Sequence, residues 1–183
     1  MSIHTPHLMV DLENLDSDRT RPGAILELGA VWFDWTGQIL DRLHIPLALL
    51  PQIGSGRTVC PDTQAWWARR PDFEDVIRGD IPLDDGLHGL AEFWHEYREE
   101  DSSLHAWGAS YDPVILEAAY RRELGWADAP WPYYAVRCSR SLCRHHGISR
   151  EGPTAHRAVE DCERQIRALI QCPIPISECV AKR

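Results

Sequence analysis

Asp11 and Glu13 stand two residues apart in Leu8-Met9-Val10-Asp11-Leu12-Glu13, a stretch that alternates apolar and other residues. In a β-strand, residues i and i+2 point to one face. The two carboxylates therefore share a face, and Leu8, Val10 and Leu12 share the other. Like charges this close repel, and one of them holds a proton unless a cation compensates. For this pair alone, a solvent-exposed edge face is the plainer alternative. Tyr111-Asp112-Pro113 precedes a helical pattern over residues 113–123. Aspartate is a favoured N-cap and proline a favoured first helical residue, so Asp112 is expected to cap this helix, a role compatible with facing a metal. His156 and Asp161 open the last helical pattern, over residues 155–171, whose buried stripe is Ala158, Cys162, Ile166 and Leu169. Asp161 falls on or beside that stripe and needs a partner, because buried charge is costly. His156 lies at the helix entrance, where it can swing into a cleft; alone, it would read as a surface residue.

In order and spacing, these residues resemble the DEDDh 3′–5′ exonucleases of the ribonuclease H-like fold, which include ribonuclease T and polymerase proofreading domains. The first motif is Asp11-Leu12-Glu13, followed by Ile25-Leu26-Glu27-Leu28-Gly29-Ala30-Val31. The second is Trp107-Gly108-Ala109-Ser110-Tyr111-Asp112, and the third is His156, Ala158 and Asp161. The resemblance runs from residue 8 to residue 171. Trp66-Trp67 and Arg137-Cys138-Ser139-Arg140 are similar to a branch of small bacterial and phage 3′–5′ exoribonuclease-like proteins. Two positions depart from the pattern. Asn14 stands where many relatives carry threonine, and Gly108-Ala109-Ser110 holds no asparagine ahead of the second-motif aspartate.

The resemblance implies a metal-dependent 3′–5′ exonuclease that releases nucleoside monophosphates, with RNA favoured over DNA as the source of 3′ ends. The alternatives are a 3′–5′ exodeoxyribonuclease and a catalytically idle nucleic-acid-binding protein of the same fold. Phosphodiester hydrolysis needs a nucleophilic water, charge neutralisation at phosphorus and help for the leaving oxygen. Two divalent ions about 3.5–4 Å apart can supply all three. Mg²⁺, with Mn²⁺ as a substitute, prefers oxygen ligands. By resemblance, Asp11 bridges both ions, Glu13 and Asp161 complete the site of the attacking water, and Asp112 supports the second ion. His156 is the general base, suited by an unperturbed pKa of about 6.5. Leu12, Asn14 and Leu15 are expected against the terminal nucleotide, with Leu15 as a wedge between the last bases. Tyr111 joins them, and Trp66 or Trp67, which diverge by about 100° on a helix, offers a stacking surface. Arg140, with Arg137, Arg144, His145 and His146, is a candidate contact to backbone phosphates. Arg69, Arg70, Arg121 and Arg122 are further ones. Few such contacts would give binding a shallow salt dependence.

The elements that must carry these residues follow from the pattern of the chain. Residues 8–13, 24–34 and 38–46 read as three strands, the last two joined by a turn at Thr36-Gly37. Residues 51–61 read as irregular, and Gly54-Ser55-Gly56-Arg57 as a mobile loop without the lysine of a phosphate loop. Helices are expected over residues 62–70, 84–98 and 113–123, a fourth strand over 103–107, and a short helix over 136–146. Three antiparallel strands followed by alternating helix and strand give an α/β fold. Here that is a ribonuclease H-like mixed five-stranded sheet flanked by helices, in one domain spanning residues 1–183. The chain has 183 residues, 44% of them hydrophobic and 26% charged, with a net charge of −9. That composition excludes a disordered chain or a disulfide miniprotein, and it disfavours gripping duplex DNA by bulk charge. The six cysteines form no C-x-x-C pair, and the C-x4-C of Cys138 and Cys143 is not a zinc-finger spacing. With no leader-like N-terminus and no membrane-length apolar run, a cytoplasmic protein is expected. Relatives of this size often pair, so a homodimer is expected too.

Overall fold

The three early strands form as the alternation requires: β1 (His7–Asn14), β2 (Ile25–Phe33) and β3 (Ile39–Pro46). The structure, a computed structural model, describes residues 2–18, 20–150, 152 and 154–173, so Cys179 lies outside it. The turn between β2 and β3 is closed by Asp34, whose carboxylate accepts the backbone N–H of Thr36 at 2.8 Å and of Gln38 at 3.2 Å. Two short strands complete the sheet, β4 (Leu104–Ala106) and β5 (Val136–Cys138). The order is β3-β2-β1-β4-β5, antiparallel from β3 to β1 and parallel from β1 to β5. This is the expected mixed sheet of the ribonuclease H-like fold.

Seven helices are described: α1 (Leu49–Gly54), α2 (Pro61–Trp67), α3 (Phe73–Val76), α4 (Leu83–Tyr97), α5 (Asp112–Glu123), α6 (Ser139–His145) and α7 (Ala158–Leu169). One face of the sheet packs Leu8, Val10 and Trp32 against α4 and α5. There the Trp32 indole donates to the Phe93 carbonyl at 2.9 Å. The other face packs Met9, Val31 and Phe33 against Cys162, Ile166 and Leu169 of α7. A smaller cluster of Leu15, Leu26 and Trp67 seats α2 and α3 at one end. Among the described residues, no helix is long and apolar enough to cross a membrane.

Several sequence expectations are corrected. Residues 136–146 are not one helix but β5 followed by α6. Three residues are too few to show alternation, and Val136, Arg137 and Cys138 are drawn into the sheet by pairing with Leu104, His105 and Ala106. The stretch over residues 51–61 includes part of α1. The Gly54–Arg57 segment is not an open loop, because Arg57 folds inward and its Nε donates to the Gly23 carbonyl at 3.2 Å. The last helix starts at Ala158, which leaves His156 in the preceding segment. β1 is no edge strand either: β2 and β4 pair on its two sides.

In a sheet of this kind, ligands bind beyond the carboxyl ends of parallel strands. Asp11 and Glu13 sit near that end of β1, α5 follows β4, and α6 follows β5. The approach of α7 to this end depends on Gly29. A Cβ there would stand 2.4 Å from the Ala158 carbonyl carbon and 2.6 Å from the Val159 nitrogen, both backbone atoms that cannot rotate away. Gly29→Ala is therefore expected to lower stability by about 1–3 kcal/mol in a denaturant titration. Gly54→Ala, whose Cβ meets nothing within 4 Å, should leave it unchanged. Equal stability of the two variants would contradict this packing.

Candidate active site

Asp11 and Glu13 face α7, on the side of the sheet opposite Leu12. The amide of Gln165 donates to Asp11 Oδ1 at 2.6 Å. Glu13 is buried and lies opposite Glu27 in the β1–β2 ladder. Burial pushes Asp11 well above the usual carboxylate range, and the charges of Asp112 and Glu13 add to it, against the bond from Gln165. Burial likewise pushes Glu13 up to about 8, helped by Asp161, Glu27 and Asp112 and opposed by Arg70.

Asp112 is the first residue of α5, and Tyr111, not Asp112, stands at the N-cap position. The Asp112 carboxylate turns back toward β1 and accepts the Leu12 backbone N–H as well as its own, so the expected cap is not formed. Burial lifts it to about 7, against those two hydrogen bonds and the charge of Arg140. Asp161 is buried on the helical stripe, as expected, and finds its partners in Arg164, whose Nη1 lies 3.3 Å from Oδ1, and in the backbone. Oδ2 accepts the His156 N–H at 2.8 Å, and Oδ1 accepts the Ala155 N–H at 3.2 Å.

These two backbone bonds hold a bend that puts His156 at φ +56°, a left-handed conformation uncommon outside glycine but more open to histidine than to branched residues. The bend sets the imidazole edge-on to Trp66, with ring centroids 4.6 Å apart, and its Nδ1 lies 3.9 Å from Glu13 Oε2. One ligand atom each from Glu13, His156 and Asp161 falls within a 4.8 Å group. Arg70 secures the same segment by donating to the Ala155 carbonyl at 2.7 Å. Burial and the Arg70 charge lower the His156 pKa below its ordinary value, against Asp161, which favours a neutral ring able to accept a proton.

All five residues line one cavity of about 660 Å³. Leu12, Tyr111 and Arg140 line it as well. Asn14 reaches it indirectly, its amide donating to the Tyr111 hydroxyl at 3.2 Å. Trp66 is 37% exposed beside His156, whereas Trp67 is buried and donates to the Asn14 carbonyl at 3.0 Å. The structure does not present Leu15 as a wedge: it is 1% exposed, packed with Trp67 in the smaller core cluster. Arg137 is also drawn away, its guanidinium turned onto the carbonyls of Tyr134 and Val136.

Glu27, Arg150 and Gln165 also belong to this neighbourhood, and no motif in the sequence marks them. Glu27 is a buried acid in an otherwise apolar strand, and that misfit was the available signal. Its carboxylate accepts the Ala158 N–H at 3.2 Å and meets Arg157 at 3.0 Å and His44 at 3.3 Å. Burial would raise its pKa, but the His44 and Ala158 bonds and the Arg157 charge hold it below the usual value. Gln165 lies one turn beyond Asp161 on α7, and its Oε1 is buried without a hydrogen-bond partner. Arg150, from a polar loop with no pattern to mark it, lines the cavity with its guanidinium over Trp107.

A family model described as the 3′–5′ exoribonuclease Rv2179c-like domain matches residues 6–172. No curated protein matches the chain in sequence. Among solved structures, it is similar to the nuclease domain of 3′hExo, a DEDDh family member bound to rAMP. The two are 15% identical with a TM-score of 0.60, covering 93% of this chain and 92% of that one. It is also similar to S. pombe Pop2p in its Mg²⁺- and Mn²⁺-bound form, at 14% identity and a TM-score of 0.63, covering 91% and 82%. Exonuclease I from Methylocaldum szegediense is 12% identical with a TM-score of 0.65, covering 91% of this chain and 40% of that one. The chain thus spans about two fifths of the length of that exonuclease I. At these identities the likeness is one of fold.

The carboxylate cluster sets a sign for pH dependence. Between about pH 4 and pH 8 an unfolded chain has lost protons that the folded, metal-free site keeps, so stability in EDTA should fall as pH rises through that window. Glu13→Gln removes one of the charges. It should raise stability at pH 8 by about 2 kcal/mol or more and change little at pH 4, read by denaturant titration at both pH values. A destabilised Glu13→Gln at pH 8 would contradict the burial and repulsion described.

Proposed function

Since the chain belongs to the 3′–5′ exoribonuclease Rv2179c-like domain family, we propose that it is a metal-dependent 3′–5′ exonuclease that trims single-stranded RNA or RNA 3′ overhangs to nucleoside 5′-monophosphates. We take residues 1–183 as one exonuclease domain. The observation that carries the proposal is the meeting of four carboxylates and a histidine in one cavity. Asp11, Glu13 and Asp112 are all lifted above their ordinary pKa values there. A merely structural site would pair such acids with cations, since uncompensated buried charge is costly.

The residues fit hard divalent ions. Their donors are carboxylate oxygens, the ligands that Mg²⁺ and Mn²⁺ prefer, and the unpartnered Gln165 Oε1 adds another oxygen among them. Asp11, Glu13, Asp112 and Asp161 would hold two such ions. When bound, the ions neutralise charge at the phosphorus and make a coordinated water more acidic. His156 takes the proton from the attacking water. The lowered pKa of its ring leaves it able to accept one at neutral pH. Trp66, Leu12 and Tyr111 receive the terminal nucleoside, and Asn14 orients the Tyr111 hydroxyl. Arg140 lies on the same cavity wall, where it can meet a phosphate. The preference for RNA rests on the family description, and we also expect two copies to pair.

A gel time course with matched 5′-labelled RNA and DNA, with Mg²⁺, Mn²⁺ or EDTA, tests the reaction. A ladder shortening from the 3′ end, faster on RNA and absent with EDTA or in Asp11→Ala, is expected. His156→Ala should lose about 10²–10⁴ of turnover while still binding metal. No cleavage of either polymer by folded, metal-loaded protein would overturn the proposal, and faster loss of DNA would overturn the choice of RNA. In sedimentation velocity a dimer mass is expected, and a monomer mass would reject the pairing.

A further inference from the structure

Outside the cavity just described, arginines gather in a second cleft of about 420 Å³ beside α5. Arg21, Arg57, Arg121 and Arg122 line it, with Ile115 on its floor. Thr20 lines both this cleft and the catalytic cavity, so the two adjoin. In a chain of net charge −9, four arginines around one cleft need an explanation.

The cleft's own carboxylates do not match them. The Arg57 side chain is 2% exposed, and its Nη1 meets Glu123 at 3.4 Å. Arg122 draws on the same Glu123 oxygen, also at 3.4 Å. Arg21 is engaged by Asp16 and Asp18, each at 3.1 Å. Arg121 is exposed and forms no ion pair among the described residues. One carboxylate thus serves two guanidinium groups, one of them buried, while a third projects free. Arg121 also lines the next cavity, which carries Glu117 and Asp128 and ends the cationic stretch.

We infer that this cleft is a phosphate track for the 5′-ward part of a single-stranded nucleic acid whose 3′ end occupies the catalytic cavity. The inference rests on the nuclease reading and adds to it a footprint. Arg121 and Arg122 follow Asp112 by nine and ten residues of one helix, about 14–15 Å at 1.5 Å per residue. That is about four nucleotides of a stacked strand at 3.4 Å each. A dinucleotide falls short of these arginines, and a strand of six reaches them.

The test uses single-stranded RNAs of two, four, six and eight nucleotides with a cleavage-resistant phosphorothioate at the last linkage. Binding is measured in Mg²⁺ by displacement of a labelled eight-mer. Affinity should rise with length and level off by about six nucleotides. Arg121→Ala/Arg122→Ala should weaken the eight-mer about tenfold and erase its advantage over the dinucleotide. It should also flatten the plot of log affinity against log salt by about 0.7 for each phosphate no longer held. Arg121→Ala alone, which spares the Arg122 bond to the Ser55 carbonyl, should give part of the same loss. Arg121→Lys/Arg122→Lys should retain most of the affinity. Equal affinity for two and eight nucleotides overturns the track, as does an equal loss at both lengths. So does an arginine-dependent binding of inorganic pyrophosphate that shows no length effect, which would mark a site for a small free anion. If unmodified RNA is never shortened, the nuclease reading fails, while the length series still decides whether the cleft holds a strand.

Discussion

Repulsion among buried carboxylates is the constraint around which this molecule is arranged. Asp11 and Glu13 project from the central strand of the sheet, and Asp112 and Asp161 reach the same cavity from the first turns of two helices. Left to themselves, these groups would spread apart or open to water. The strand cannot move because β2 and β4 hold it on both sides, and the helix ends cannot retreat because backbone N–H groups bind their side chains. Burial first, and this repulsion second, raise the pKa values of Asp11 and Glu13, while burial raises that of Asp112. A site held in that state has a free-energy demand for cations built into its resting form.

Placement of the histidine depends on a second buried acid of a different kind. Glu27 is satisfied by Arg157, His44 and the Ala158 N–H, so it behaves as a clamp and not as part of the repelling set. It fixes the start of α7 on β2, while Gly29 lets the helix backbone approach and Cys162 Sγ contacts the Gly29 carbonyl at 3.5 Å. With the helix start fixed, Asp161 can grip the two N–H groups before it and hold His156 in its left-handed bend. Arg70 closes the segment from the other side and lies over Trp66 and Trp67. One short stretch of chain thereby couples His156, the exposed Trp66 indole and the Asp161 carboxylate.

Much of this was legible in the sequence because periodicity carries it. The alternation in β1 put Asp11 and Glu13 on one face, and the helical stripe put Asp161 beside Ala158 and Cys162, both as found. The order of strands and helices was enough to give the mixed sheet. Features set by contacts between distant segments were not legible. Nothing near Asp112 shows that the Leu12 N–H, a hundred residues earlier, takes its carboxylate from the helix end. β5 exists only because β4 offers it partners, so its three residues read as helix. Leu15 follows a motif expected at the nucleotide, yet the β1–β2 register and α2 draw it into the core with Trp67. Arg57 lies in a glycine-rich stretch that reads as loop, and only the approach of the Gly23 carbonyl and Glu123 explains its burial.

In the proposed reaction the crowded carboxylates form a divalent-ion site at the place where a strand's 3′ end is cut. Crystals soaked in Mn²⁺ with a nucleoside 5′-monophosphate test it most directly, through anomalous scattering from the metal. Manganese peaks are expected in contact with Asp11, Glu13, Asp112 and Asp161, with the nucleotide's phosphate beside them and its base toward Trp66. A cavity that binds the nucleotide with no manganese among these four carboxylates, or manganese bound only elsewhere, would contradict it.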